Sequence, residues 1–140
     1  MVAIEVRING ALLTEHHADA VLVATATGST GYALSAGGPI LDPLSCDLVL
    51  KPVAAHFGLR DALVLPADSQ VELIVRSDHA TNLNADGFVE RTLEEGARIV
   101  VTASAHQVRF LRRDPSEHYY LTLTQRLRQR RDANTLHSPS

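Results

Sequence analysis

The chain has 140 residues, 45% of them hydrophobic, and a formal net charge of −3, enough for one domain with a core of its own. The acidic balance and an aromatic share of only 4% argue against a nucleic-acid footprint or a base-stacking platform. No apolar run approaches the roughly 18 residues of a membrane span, no signal-peptide pattern opens the chain, and the single Cys46 has no internal disulfide partner, all as expected of a cytoplasmic protein.

In chain order, Val2 to Ile8 alternates, with Val2, Ile4, Val6 and Ile8 on one face. Asn9-Gly10 is the pair favoured in a type I′ turn, so Ala11 to His17 is expected to return as a hairpin and lead on into the next strand as a meander. The apolar run Ala20 to Ala24 reads as a buried strand opened by Asp19. Thr25-Ala26-Thr27-Gly28-Ser29-Thr30-Gly31-Tyr32 follows, hydroxyls interleaved with glycine. Two helical turns are expected from Thr30 to Ala36, capped by Ser29 or Thr30 and stopped by Gly37-Gly38-Pro39. Strand, glycine-hydroxyl loop and helix start suit a phosphate or another polar ligand, and they equally suit a tight structural turn. The stretch is neither G-x-G-x-x-G nor a lysine-bearing P-loop.

Asp42-Pro43 marks a turn, and Leu48 to Ala54 carries Pro52, which predicts an edge or interrupted strand. His56 to Arg60 is a connection, read as a solvated loop. Ala62 to Leu65 is a short strand, and Gln70 to Arg76 alternates with Val71, Leu73 and Val75 on one face. Asp86-Gly87 turns a second hairpin between Thr81 to Ala85 and Phe88 to Thr92. Arg98 to Ala103 is expected to pair with Gln107 to Arg112. Nine or ten short strands argue a mainly β domain, a β-sandwich or double sheet, over residues 1–131. A carboxy-terminal helix is expected over Glu117 to Arg131, with Tyr120, Leu123 and Leu127 as its stripe and a solvated basic end; 132–140 reads as a disordered tail. The seven histidines have no ligand spacing, so no metal site is expected.

The run TATGSTGYALSAGGPIL resembles the signature of the NAD kinase family, T-P-T-G-S-T-A-Y-x-L-S-A-G-G-P-I, with Ala26 for the proline and Gly31 for the alanine. Asp19, the LVLP of Leu63 to Pro66 and the Asp86-Gly87 turn extend the likeness to about Arg126, over the carboxy-terminal half of the family pattern only. Where many members read H-S-L-S-x-R-P, the segment from His56 departs. The resemblance implies transfer of the γ-phosphoryl of ATP to the 2′-hydroxyl of the adenosine ribose of NAD, giving NADP. The family's glycine-glycine-aspartate-glycine motif and asparagine-glutamate pair do not occur here, so the chain is expected to be a fragment or a truncation, inactive alone and with no catalytic residue of its own. ATP and Mg2+ are expected only with the missing amino-terminal half.

Carried over by position, the resemblance makes Asp19, Thr27, Thr30, Gly31, Tyr32 and Ser35 the candidate NAD contacts. It further implies a homo-oligomer whose small-molecule partners are NAD and NADP, with no nucleic acid or membrane. Two other readings stay open: a related lipid kinase-like domain of the diacylglycerol or sphingosine type, and a non-catalytic interaction module.

Overall fold

The computed structural model describes residues 1–135, with the side chains of all but 89, 90 and 130–135. Two compact units divide the chain, Met1–Ala105 and His106–Ser140. The first holds nine strands: β1 (Val2–Ile8), β2 (Ala11–Ala18), β3 (Ala20–Ala24), β4 (Leu48–Val53), β5 (Leu63–Leu65), β6 (Val71–Val75), β7 (Thr81–Ala85), β8 (Phe88–Leu93) and β9 (Arg98–Val101). Two one-turn helices, α1 (Ala26–Ser29) and α2 (Tyr32–Ser35), lie between β3 and β4. The second unit contains α3 (His118–Thr135).

The strands form a four-stranded sheet ordered β2-β1-β6-β9, a three-stranded sheet β3-β4-β5 and the ribbon β7-β8, all antiparallel. Alternation explains the core. Ile4 and Val6 of β1 and Val71, Leu73 and Val75 of β6 are buried on one face of the first sheet, and Leu50 of β4 joins their cluster. Val6, Val71 and Val75 have no exposed surface, and full burial stabilises by about 1.5–3 kcal/mol per side chain of this type. Partly buried Val21 and Val23 of β3 and Leu63 and Leu65 of β5 close the cluster from the three-stranded sheet. The other face of the first sheet is charged: Arg76 and Arg7 bind Glu5, and Arg98 binds Glu72.

Both hairpin turns are as expected, with Asn9-Gly10 at φ 50° and 83° and Asp86-Gly87 at 49° and 89°, the left-handed pair of a type I′ turn. Four expectations change. The hairpin does not continue as a meander, because β3 leaves β2 at Asp19 and pairs with β4 in the other sheet. The strand with Pro52 is central, not an edge; β5 pairs only with Leu48 to Leu50, so Pro52 lies past the end of that pairing and removes no ladder donor there. Gln107 to Arg112 is not a strand, and β9 pairs with β6. The two turns expected from Thr30 to Ala36 shrink to one, α2, with Gly31 rather than Ser29 or Thr30 at its N-cap, and an additional turn, α1, precedes it with Thr25 as its cap.

Within the second unit, α3 runs beyond the predicted end at Arg131, to Thr135. Among its described side chains, Tyr119, Leu123 and Leu127 are partly covered, whereas Tyr120 and Leu121 are exposed. The Arg112 guanidinium lies 5.7 Å over the Tyr119 ring, which explains why the stripe starts one residue earlier than its spacing suggests. The expected tail falls largely on 136–140, outside the described residues.

Candidate functional site

The site is built on the segment from Thr25 to Gly38. Thr25 caps α1 from an extended conformation, its hydroxyl accepting from Gly28 N. Gly28 sits in tight space, since a Cβ there would lie 3.3 Å from Ala24 Cβ. Ser29 is fully buried: its Oγ donates to Ala26 O at 2.6 Å and accepts from Leu41 N at 3.0 Å. One hydroxyl therefore ties α1 to the chain that leaves the segment. At the end of α2, Gly37 takes φ 81° and Gly38 N donates to Ala33 O at 2.8 Å. A Cβ on Gly38 would meet that same oxygen at 2.8 Å, so the Gly37-Gly38 stop requires glycine.

These contacts sort the segment into two sides. Ala26, Ser29 and Ala33 are buried. Thr27, Gly28, Gly31, Tyr32 and Ser35 are exposed, Tyr32 at 62%. Thr30 is half-buried, and its hydroxyl donates to Thr27 O at 3.2 Å. Gly31 N donates to Gly28 O at 3.0 Å, which joins α1 to α2. A pinned inner side thus holds an outer side of hydroxyls, open backbone and one aromatic ring.

Five of the six candidate residues, Thr27, Thr30, Gly31, Tyr32 and Ser35, come together here. Asp19 does not. It stands at the opposite end of β3 from Thr25, about 16–20 Å away along a strand rising about 3.3 Å per residue. Asp19 is exposed, and its backbone N donates to Val53 O at 2.9 Å. His56 and Arg60 are exposed, in keeping with a loop. Among the described residues, no group of three or more His, Cys, Asp and Glu converges to hold a metal ion, and no helix is long and apolar enough to cross a membrane.

Sequence reading missed two buried polar residues, one inside the segment and one outside it. Ser29 looked like one hydroxyl among several, and only its long-range bond to Leu41 marks it as the pin. His16 looked like one of seven scattered histidines, but it is completely buried.

The profile of the family described as ATP-NAD kinase C-terminal domain matches residues 1–113. The chain belongs to that family. It is 47% identical over 128 residues to the NAD kinase of Chloroflexus aurantiacus (strain ATCC 29366 / DSM 635 / J-10-fl), covering 91% of this chain and 46% of that protein. Its fold matches the crystal structure of yeast NADH kinase complexed with NADH (TM-score 0.68, 35% identity, 72% of this chain and 29% of that one). It also matches an NAD kinase from Archaeoglobus fulgidus in complex with ATP (TM-score 0.65, 28% identity, 75% of this chain and 40% of that one). The chain spans less than half the length of the curated relatives it matches.

Proposed function

We propose that the chain is the dinucleotide-holding and self-associating half of a cytoplasmic NAD kinase, which transfers the γ-phosphoryl of ATP to the 2′-hydroxyl of the adenosine ribose of NAD. The observation that carries this reading is the two-sided segment from Thr25 to Gly38, whose exposed side presents Thr27, Gly31, Tyr32 and Ser35 on a pinned backing. Hydroxyls and open backbone are what ribose and amide groups bind. A flat, exposed tyrosine adds contact area at small entropy loss. Thr30 is the support of this set, holding the Thr27 carbonyl. Asp19, at the far end of β3, takes a different part of an extended ligand, where a carboxylate accepting a hydrogen bond is worth about 1.5–3 kcal/mol.

In the transfer a bond forms between the ribose O2′ and the γ-phosphorus, the γ-phosphorus bond to the β-bridging oxygen breaks, and the hydroxyl proton passes to a base. The base, ATP and Mg2+ belong to the missing half, so this chain's residues bind and orient the acceptor. The isolated chain is accordingly inactive: purified protein with ATP, magnesium and NAD should give no NADP above a blank, and clear turnover would overturn that assignment.

Calorimetric titration with NAD tests the binding reading directly. The wild-type chain should bind NAD, and Tyr32→Ala and Thr27→Ala should each weaken binding about three- to thirtyfold, the loss of one good contact. Unchanged affinity in both variants would remove the segment from the site. Titrating a diacylglycerol headgroup analogue in parallel separates this reading from a lipid kinase-like one.

A further inference from the structure

His16 lies on β2 with its ring on the core side. Its cross-strand partner is Ile4, and no part of the residue is exposed. Neither Nδ1 nor Nε2 has a hydrogen-bond partner. Buried polar groups in native proteins are nearly always paired, so an orphan imidazole calls for an explanation.

The loop that follows β4 covers it. Gly58, at φ 93°, sits so close that a Cβ there would lie 2.9 Å from His16 Nδ1 and 2.7 Å from the Glu15 carbonyl oxygen. The loop straddles the edge strand: Gly58 lies over His16, and Phe57 meets the His17 ring edge-on, centroids 5.9 Å apart and planes at 80°. His56 N and Phe57 N donate to His17 O at 2.8 and 3.4 Å, and His17 N donates to Phe57 O at 3.2 Å. At the loop's start, Ala54 holds φ 48°, a left-handed conformation that strains a residue with a Cβ. A strained loop is thus held down by its contacts with residues 15–17, two residues before Asp19.

We infer that His16 and the Ala54–Gly58 loop form a protonation-operated latch on β2: the loop stays seated while the imidazole is neutral and lifts when the ring takes up a proton. An imidazolium in this pocket would have no protein acceptor within hydrogen-bond distance, so lifting the loop is the way to solvate it. The charged neighbours give no relief. Glu15 and His17 alternate to the opposite face of β2 and bond each other at 2.8 Å. Glu5 of β1 is on that same outer face, held by Arg7 and Arg76. His56 on the loop and Arg60 just beyond it are exposed. Burial therefore holds the His16 imidazole below the usual histidine range.

The latch reaches the proposed site through Asp19, whose backbone N is bonded to Val53 at the root of the loop. Resting on the dinucleotide reading, acid release of the loop loosens Asp19 and weakens NAD binding.

Amide hydrogen exchange by NMR on the full chain, compared at about pH 8 and about pH 5.5, tests the latch on either side of the ordinary histidine pKa of about 6.5. After correction for intrinsic rates, the amides of His17, His56 and Phe57 should lose protection about tenfold at the lower pH, while Val6 and Leu73 keep theirs. His16→Leu and His16→Gln should abolish the difference, His17→Gln should retain it, and Gly58→Ala should leave the loop open at both pH values. The idea fails if the wild-type loop is unaffected, if core amides lose protection in step with it, or if His17→Gln alone removes the effect. NAD titrations at the two pH values separate the readings. No binding at either pH sinks the dinucleotide site but leaves the latch standing on exchange. Equal binding with an opening loop sinks only the coupling to Asp19.

Discussion

At the scale of single residues, the segment from Thr25 to Gly38 depends on groups on its buried side. Removing the Ser29 hydroxyl leaves Leu41 N without its acceptor and Ala26 O without its donor. A buried group left unpaired costs about 1–3 kcal/mol, so Ser29→Ala should lower the unfolding free energy measured by urea titration by an amount in that range. A change below about 0.5 kcal/mol would mean that the pin is redundant. Gly31 makes the opposite case. It is exposed at φ −90°, and an added Cβ would lie 3.3 Å from Gly28 O, a tight but nearly tolerable contact. Gly31→Ala restores the residue usual in the resembled signature and adds one methyl, worth about 0.8 kcal/mol if fully buried by ligand. It should tighten NAD by at most about fourfold in calorimetry; weakened binding would show that this chain's loop is adapted to glycine. The string of hydroxyls and glycines was legible as a ligand loop or a tight turn alike, and only its resemblance to the NAD kinase signature favoured the first. The division of labour within it was not legible, since a hydroxyl that pins and one that stays exposed look alike until the fold shows which side is buried.

At the scale of elements, period-two alternation predicted β1 and β6 well, because each has one face in the core and a paired carboxylate, Glu5 or Glu72, on the other. It misled where tertiary pairing decides. The pattern Gln107 to Arg112 is strand-like, yet β9 pairs with β6, and Pro52 is tolerated in a central strand because β5 is only three residues long. The β1–β6 pair also carries a testable charge link. Arg76 donates from Nε and Nη2 to Glu5 Oε2 at 3.0 and 2.6 Å, and Arg7 donates to Glu5 Oε1 at 2.6 Å. Hydrogen bonds from Arg76 first, and then from Arg7, hold the Glu5 carboxyl below the ordinary value of 4.5. A depressed carboxylate contributes stability that is present above its unfolded pKa and lost as pH falls through its folded one. Between about pH 5 and about pH 3, the wild-type urea midpoint should therefore fall more steeply than that of Arg76→Ala. Parallel slopes would assign the acid limb to other carboxylates.

At the scale of the whole molecule, the first unit leaves apolar surface that its own strands do not cover. Val64 on the edge strand β5 and Val100 on the edge strand β9 are each 48% exposed, and Phe88 beside the second hairpin turn is 75% exposed. Open strand edges bearing apolar side chains are templates for pairing and are normally covered. Composition alone could not reveal this, because a hydrophobic share of 45% is ordinary; the exposure comes from how the sheets end. The relatives are about twice as long, so part of this surface is expected to meet the missing half and part a second copy. A closed two-fold dimer, or a dimer of dimers, buries such patches without leaving a free edge. The interface should exceed about 1,000 Å² in total and be largely apolar. Light scattering over a concentration series should give a mass of at least twice 15.2 kDa, and Val100→Lys or Phe88→Ser should lower it wherever that patch lies in the contact. A monomer mass at every concentration up to tens of micromolar would refute self-association, and would assign all of the exposed apolar surface to the half that this chain lacks.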